Sequence, residues 1–344
     1  MNRLRTAVVG CGHLGRIHAQ LLQQLPDAEL VAVVDPNELS REKLAEQLAV
    51  PALDDYQQLV GKIDAAVIAA PTFLHFEIAQ NLLAQGIHLL VEKPLAVHYS
   101  EAAELARLAK HNQCLLAVGH VERFNPAFTA VQAQQIAPRY IEARRAGGFT
   151  FRSLDVGVVM DLMIHDLELV LALVDSPIAW VSAVGLPFVT SHEDVAEARV
   201  VFTNGCTAEF RASRISPEPD RSMSIYTDNE QYLIDFGKRN VRVLQRHEAI
   251  RNGLLQVERL TPAETEELKA HVFDSLLPCT ELDVAEANPL LDELQDFVQS
   301  VRNHTTPRVN GSHAADAVWL AEEILRQMQS NRQHADGSHG RRAA

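Results

Sequence analysis

The stretch "TAVVGCGHLGRIHAQLL", Thr6 to Leu22, decides the fold of the first part of the chain. Its apolar run ends in a G-x-G-x-x-G motif at Gly10, Gly12 and Gly15, and apolar residues at helical spacing follow. A strand that turns through glycines directly into a helix is typical of sites that hold a dinucleotide pyrophosphate at the helix N-terminus. The stretch therefore predicts the first strand and helix of a nucleotide-binding domain.

An acidic residue, Asp35, supports this prediction. It ends the next apolar run, twenty residues beyond Gly15, where a carboxylate can accept a hydrogen bond from the ribose 2′-hydroxyl. A 2′-phosphate would be repelled there, so NAD is favoured over NADP, although the nearby Arg41 leaves the use of both open. His13 and Leu14 lie inside the glycine motif and are expected cofactor contacts, and for His13 a packing role fits equally well.

Periodicity along the chain predicts two domains of different class. Apolar runs alternate with amphipathic segments as far as His120, which predicts an α/β domain with a doubly wound parallel sheet. Two-residue periodicity then prevails, with a hairpin signal at Asn204-Gly205, so the second domain is expected to be α+β with an open, mostly antiparallel sheet. The late helices are expected to pack back on the first domain. The predicted divisions are an NAD-binding Rossmann domain at 1–122, a substrate and oligomerisation domain at 123–310, a C-terminal helix at 311–330 and a disordered tail at 331–344.

The composition of the 344-residue chain excludes several classes of protein. Its net charge of −14 argues against a nucleic-acid or anionic membrane surface, and no apolar run is long enough to span a membrane. The four cysteines are far apart and form no CxxC pair, which indicates reduced thiols and a cytoplasmic protein. The histidines form no metal-binding pattern, so no metal is expected.

Two motifs stand at the carboxyl ends of predicted parallel strands, the edge where α/β sheets bind ligands. A lysine fixed there between an acid and a proline is unusual for a purely structural site, although a surface ion pair is the simpler alternative. The expected cofactor contacts are Ala70, Pro71, Thr72 and His75 in "AAPTFLH", and Glu92 and Lys93 in "EKP".

The segment "GVVMDLMIHDLEL", Gly157 to Leu169, places polar residues in an apolar helix. Asp161, His165 and Glu168 share one stripe of the helix, whereas Asp166 points about a quarter-turn away, towards solvent or a helix contact. Burying such groups costs free energy unless they are paired or take part in chemistry. An Asp–His pair satisfied within the core is the alternative to a catalytic pair.

In order and spacing, these motifs resemble the glucose–fructose oxidoreductase/inositol dehydrogenase (Gfo/Idh/MocA) family over nearly the whole chain, including "PRVNGSHAADAVWLAEEI" near its end. The resemblance implies an NAD(P)-dependent dehydrogenase acting on CH–OH groups, whose C-terminal sheet forms homodimers or homotetramers. Lys93, Asp161 and His165 match the family's lysine and aspartate–histidine pair. They are therefore the expected catalytic residues: His165 takes the hydroxyl proton, Asp161 orients His165, and Lys93 stabilises negative charge on oxygen.

Within the family, "GHVERFNPA" and "RSLDVGVVMDLMIHDLEL" are most similar to UDP-N-acetylglucosamine 3-dehydrogenases and related nucleotide-sugar oxidoreductases. The expected reaction is oxidation of the 3-hydroxyl of UDP-N-acetylglucosamine, in nucleotide-sugar and lipopolysaccharide precursor metabolism. The expected substrate contacts are His120, Arg123, Asn125 and Arg152, beside Asp161 and His165.

Three alternatives to this reaction stay open. One is an inositol, other polyol or free-sugar dehydrogenase, one is a redox-neutral elimination or glycoside cleavage assisted by NAD, and one is a non-catalytic NAD-dependent sensor. A cluster of second-domain arginines at the site would favour the nucleotide sugar, whereas a neutral, narrow pocket would favour the polyol.

Overall fold

The structure, a computed structural model, describes residues 3–151, 153–154 and 156–339. The chain divides into two compact units. The first contains residues 1–124 and 287–323, and the second contains residues 125–286 and the chain from Ile324 onward.

The first unit is built on a six-stranded sheet in which all neighbouring strands are parallel, in the order β3-β2-β1-β4-β5-β6. The apolar runs of the sequence become its strands, and β1, β4 and β5 are almost entirely buried, which confirms the doubly wound prediction. The strands are β1 Leu4–Val9, β2 Ala28–Val34, β3 Ala52–Leu53, β4 Ala65–Ile68, β5 His88–Glu92 and β6 Leu116–Gly119.

The second unit is built on an eight-stranded sheet in the order β14-β13-β12-β11-β7-β10-β9-β8. The predicted hairpin is confirmed: β9 and β10 pair antiparallel around Gly205, whose φ is +88°. All neighbours are antiparallel except β7 and β10, which pair in parallel. The strands are β7 Tyr140–Ala146, β8 Ile178–Leu186, β9 Val195–Phe202, β10 Thr207–Ser213, β11 Asp220–Tyr226, β12 Glu230–Asp235, β13 Asn240–Gln245 and β14 Cys279–Glu281.

Ten α-helices connect or cover these sheets in the described part of the chain, along with short 3₁₀ turns and two π-helical segments, Val159–Met163 and Val272–Leu276. The α-helices are α1 His13–Leu22, α2 Glu38–Leu48, α3 Thr72–Ala84, α4 Tyr99–His111, α5 Pro126–Gln132, α6 Ile164–Leu173, α7 Glu248–Arg251, α8 Pro262–Lys269, α9 Pro289–Asn303 and α10 Gly311–His339.

The late part of the chain departs from the predicted divisions. Residues 287–310 group with the first unit, not with the second, because Leu294, Phe297 and Val298 of α9 enter the same apolar core as α1 and β1. The start of α10 is anchored there too, since the amide of Val118 donates to the carbonyl of Val309 at 3.1 Å.

The last helix is longer than expected. The predicted helix ends at 330, whereas α10 continues to His339, into the segment predicted to be a disordered tail. Residues 331–339 contain no proline that would break the hydrogen-bond ladder, although their polar composition gives them no apolar face. Residues 340–344 lie outside the described part.

Three further findings concern expected absences. No helix among the described residues is long and apolar enough to cross a membrane. Cys11, Cys114, Cys206 and Cys279 are all free thiols. Within the described ranges, no group of three or more His, Cys, Asp or Glu side chains is arranged to hold a metal ion.

Candidate active site

The glycine turn after β1 has the geometry that a bound pyrophosphate requires. Gly10 has a φ of +100°, and a Cβ there would lie 2.5 Å from the carbonyl oxygen of Ala69, so only glycine fits. A Cβ on Gly15 would collide with the carbonyl oxygen of Gly10. At Gly12, by contrast, an added Cβ would meet no atom of the described residues within 4 Å. The N-terminus of α1 is therefore open to an anionic ligand.

The first turn of α1 carries two of the expected cofactor contacts. His13 and Leu14 are both exposed, so neither side chain packs into the core. The packing alternative for His13 has no support in this unit.

Asp35, at the end of β2, is oriented by two backbone amides. The amide of Cys11 donates to Oδ2 at 2.7 Å, and the amide of Asn37 donates to Oδ1 at 2.8 Å. Each carboxylate oxygen keeps a lone pair for a ribose hydroxyl. Burial and the nearby charge of Asp35 raise the pKa of the Cys11 thiol to about 12, so this sulfur stays protonated beside the glycine turn.

A cavity of about 590 Å³ lies beside the glycine turn. Its lining includes five of the expected contacts, Gly10, Gly12, Asp35, Ala70 and Pro71, and it also includes three residues that sequence analysis missed, Asp54, Asp55 and Tyr56. The signal for them was the acidic pair in "ALDDY", directly after a short strand and at the ligand-binding edge of the sheet.

The charges around this cavity discriminate against a 2′-phosphate. Asp54 and Asp55 add two carboxylates to that of Asp35. Arg41, which we considered as a phosphate contact, instead donates to the carbonyl of Pro36 at 3.1 Å. The cavity therefore suits NAD better than NADP.

His75 is placed differently from the expectation. It is 1% exposed, and its ring nitrogens Nε2 and Nδ1 lie 2.8 and 2.9 Å from the carbonyl oxygens of Ala70 and Pro94. Burial lowers the pKa of His75. A neutral imidazole carries one N–H, so His75 donates to one of these two carbonyls while its ring packs against both. His75 therefore joins the loop at Ala70 to the EKP turn. Thr72 begins α3 and is half-buried.

Glu92 of the EKP motif is also a positioning residue. Its Oε1 lies 2.6 Å from Nε2 of His18, which is completely buried on α1, and its Oε2 accepts a hydrogen bond from the amide of Lys93 at 3.2 Å. A Cβ on Gly119 would lie 2.9 Å from Oε2, so a glycine at this position leaves room for the carboxylate. Sequence analysis missed His18, whose position on the first helix gave no sign that it reaches this loop. The hydrogen bond to Glu92 fixes the main chain at Lys93, whose side chain is half-buried.

Two expected substrate contacts, His120 and Arg123, are buried. His120 is 1% exposed, and its burial, with the charges of Lys93 and Arg123, lowers its pKa to about 3, so its ring is neutral. Arg123 is 6% exposed, and its carbonyl accepts a hydrogen bond from Arg308 at 3.4 Å. Both belong to the interior of the first unit, because the turn at Val121–Phe124 folds under α9.

The helix with the expected acid–base pair lies in the second unit and begins with a π-helical turn. Val159–Met163 is π-helical, and α6 continues from Ile164. Glu193 holds the start of this turn, because its Oε1 accepts the amide of Val159 at 3.1 Å and a Cβ on Gly157 would collide with it. Single π turns within helices are frequent at functional sites.

The four polar residues of this helix separate into two pairs. Asp161 and His165 are half-buried, whereas Asp166 and Glu168 are each 2% exposed. Asp166 forms a buried ion pair with Arg145 at 2.7 Å, which makes it a helix contact and not a solvent residue. Half-buried positions suit groups that must meet a substrate, and Asp161 and His165 are the two polar residues of this helix that keep part of their surface accessible.

Asp161 also lines a cavity of about 420 Å³ within the second unit. Three arginines share this lining: Arg145, Arg214 and Arg221. Two other arginines of the second unit, Arg144 and Arg211, are exposed and pair with Asp220 and Glu197.

Two expected substrate contacts remain. Asn125 is 6% exposed and caps α5 by accepting the amide of Ala127 at 3.1 Å, so it serves the helix and is not a surface contact. Arg152 lies outside the described residues.

Comparisons with known proteins agree with this geometry. Residues 4–120 match an oxidoreductase family with an NAD-binding Rossmann fold, and residues 119–232 match the GFO/IDH/MocA C-terminal domain. The chain belongs to the GFO/IDH/MocA oxidoreductase family.

Members of this family differ in substrate. The chain is 34% identical over 305 residues to the UDP-N-acetylglucosamine 3-dehydrogenase of Acidithiobacillus ferrooxidans, an alignment that covers 88% of this chain and 90% of that protein. A solved structure of that enzyme has a TM-score of 0.83 at 31% identity and covers 96% of this chain and 99% of its own. The scyllo-inositol 2-dehydrogenase (NAD(+)) of Bacillus subtilis is 29% identical over 335 residues, which is 90% of this chain and 89% of that protein.

As a GFO/IDH/MocA oxidoreductase, the chain uses NAD, and its first unit fits that cofactor. Gly12 leaves room for the pyrophosphate at the N-terminus of α1, and Asp35 is oriented towards a ribose diol. When bound, NAD supplies the acceptor for the hydrogen that leaves the substrate carbon. The protein's own residues bind and orient the reactants and move the hydroxyl proton.

Proposed function

We propose that the chain oxidises the 3-hydroxyl of UDP-N-acetylglucosamine to a ketone with NAD. The observation that carries the proposal is the half-buried Asp161, which lines a cavity together with three arginines and lies four residues before the half-buried His165, in a chain with 34% identity to a UDP-N-acetylglucosamine 3-dehydrogenase. A nucleotide sugar carries a diphosphate, which guanidinium groups bind well, whereas inositol carries no charge. Arg145 and Arg214 are paired with Asp166 and Asp194, so the charge that favours the nucleotide sugar over the polyol is that of Arg221.

We propose the following roles. His165 takes the proton from the sugar hydroxyl as its carbon is oxidised, because imidazole has a pKa near the working pH. Asp161 orients His165 and stabilises its protonated form. Lys93 stabilises negative charge that develops on the hydroxyl oxygen, with its main chain fixed by Glu92.

The test is absorbance of the reduced nicotinamide, with purified protein, NAD and a panel of UDP-N-acetylglucosamine, UDP-glucose, inositol and glucose. We expect a signal limited by equilibrium with UDP-N-acetylglucosamine, which grows when the ketone is trapped. A signal with inositol alone would contradict the proposed substrate and support the polyol dehydrogenase alternative. No turnover of any compound by protein that binds NAD would support the sensor alternative.

A matched pair of variants tests the acid–base role. His165→Asn should retain NAD binding and lose about 10²- to 10⁴-fold in turnover, the usual contribution of general base catalysis. His271→Asn is the control, because that histidine is exposed and its ion-pair partner among the described residues, Asp274, lies at 3.8 Å. Equal turnover in the two variants would remove His165 from the reaction.

We further propose that the protein is a cytoplasmic homodimer or homotetramer that associates through the eight-stranded sheet. On β8, Trp180, Val184 and Leu186 expose 53%, 59% and 65% of their surface on one face, an apolar stripe that a second copy would cover. Light scattering after size-exclusion chromatography tests this, and a monomer at micromolar concentration would contradict it.

A further inference from the structure

The cavity beside Asp161 has the composition of a site for a nucleoside diphosphate. Its wall presents three guanidinium groups and one carboxylate. The wall also includes Gly147 and Gly148, and a Cβ on either would meet nothing among the described residues closer than 3.9 Å. The backbone there is open to a ligand, as phosphate-binding loops are.

Two of the three arginines are already fixed by buried carboxylates. Arg145 pairs with Asp166 at 2.7 Å, and Arg214 pairs with Asp194 at 2.7 Å, with all four side chains no more than 7% exposed. Arg214 also donates to the carbonyls of Ser153 and Val156 and to Oγ1 of Thr190, so all three of its nitrogens already have partners. Both arginines therefore form a fixed wall of the cavity, and the diphosphate contact has to come from the third arginine.

Arg221 is different, because it is exposed and its guanidinium has no ion pair or hydrogen bond with the described residues. It lies directly opposite Arg145 in the antiparallel register of β11 and β7. Like charges at directly opposed positions destabilise a sheet. Asp166 already compensates the charge of Arg145, so Arg221 is the arginine of this cavity that has no counter-charge among the described residues, and a bound anion would supply one.

An aromatic pair adjoins the same cavity. Phe149 lines it, and the ring of Phe149 lies 5.0 Å from that of Phe151 in an edge-to-face contact. Phe151 is 78% exposed, so the face of its ring is open to a ligand. An exposed aromatic face is the surface on which a nucleobase stacks.

We propose that this cavity is the nucleoside-diphosphate subsite, with Arg221 as the principal diphosphate contact and Phe149 and Phe151 as the surface for the base. The assignment rests on the proposed function, since it gives the UDP portion of the nucleotide sugar a place on the second unit, and Asp161 lines the same cavity. It names an arginine that sequence reasoning did not consider.

The experiment measures the affinity of the full-length protein for UDP and UMP by calorimetry at saturating NAD. The wild type should bind UDP more tightly than UMP, because UDP has the additional phosphate. Arg221→Gln should weaken UDP at least about tenfold and abolish the difference between UDP and UMP, since a charge-assisted hydrogen bond is lost. NAD affinity should not change, because the cavity beside the glycine turn is untouched.

Arg144→Gln is the matched control. Arg144 is the neighbour of Arg145 on β7, but its side chain points to the opposite face and lines a different cavity. UDP affinity should be unaffected in this variant. A loss equal to that of Arg221→Gln would mean that overall positive charge, and not this cavity, attracts the nucleotide.

The outcomes separate the two proposals. If the wild type oxidises UDP-N-acetylglucosamine while Arg221→Gln binds UDP as tightly as the wild type, the subsite assignment is overturned and the proposed function stands. If the wild type binds NAD but neither UDP nor UMP and oxidises a free polyol, both are overturned. A tenfold loss confined to Arg221→Gln supports both.

Discussion

The buried ion pair between Asp194 and Arg214 should contribute much of the stability of the second unit. Asp194 is completely buried, and its Oδ2 accepts the amides of Phe188, Val189 and Thr190 at 2.6–2.9 Å while its Oδ1 accepts Nε of Arg214 at 2.7 Å. In Asp194→Asn, either the three backbone amides or the guanidinium of Arg214 would face a carboxamide nitrogen, which cannot accept their hydrogen bonds. Arg214 would also stay buried without its counter-charge. We expect the free energy of unfolding to fall by about 3–5 kcal/mol.

The control is an ion pair of similar length at the surface of the same unit. Arg139 and Asp228 are 2.9 Å apart, but their side chains are 60% and 68% exposed, so Asp228→Asn should cost no more than about 1 kcal/mol. Urea unfolding followed by Trp180 fluorescence in a Trp319→Phe background reports on the second unit, since these are the two tryptophans of the chain. Equal losses in the two variants would refute the argument that burial gives the inner pair its energy.

The same pair predicts a pH dependence. Burial by itself would raise the pKa of Asp194, but the amides of Thr190, Val189 and Phe188 and the guanidinium of Arg214 outweigh it and hold the pKa below its ordinary value. A carboxyl with a depressed pKa in the folded state contributes stability above its unfolded pKa of about 3.9, and loses it as the pH falls towards the folded pKa. The stability difference between wild type and Asp194→Asn should therefore be constant near neutral pH and shrink below about pH 4. A difference that grew on acidification would contradict this.

Three other predictions concern the first unit. Gly15→Ala would place a Cβ against the carbonyl oxygen of Gly10, so NAD affinity, measured by calorimetry, should fall at least about tenfold, and unchanged affinity would disprove the packing role. His18→Leu removes the ring nitrogen 2.6 Å from the buried carboxylate of Glu92 and should cost roughly 2–4 kcal/mol in urea unfolding; a loss below about 1 kcal/mol would show that the carboxylate finds another partner. Asp35→Ser removes the charge that repels a 2′-phosphate, so the ratio of kcat/KM for NADP to that for NAD should rise about tenfold or more, and an unchanged ratio would assign cofactor choice to other residues.

Four residues that were predicted to contact cofactor or substrate are buried in the structure. Glu92, His75, Arg123 and Asn125 have chemically suitable side chains at suitable places in the sequence, but the fold encloses them. A sequence shows that a residue follows a strand; it does not show whether another segment will cover it. For Glu92 the covering partner is His18, seventy-four residues away along the chain.

The amino-acid sequence by itself determined the architecture and the glycine turn, because both depend on local patterns: apolar runs with helices between them, glycines at fixed spacing, and Asn-Gly at a hairpin. These patterns act over a few residues and are visible in any linear reading of the chain. The tertiary structure alone decided the parallel pairing of β7 with β10, the place of α9 in the first unit, and the gathering of Arg145, Arg214 and Arg221 around Asp161. Each of these joins segments distant in sequence, and such contacts depend on how the apolar faces of the whole chain pack together.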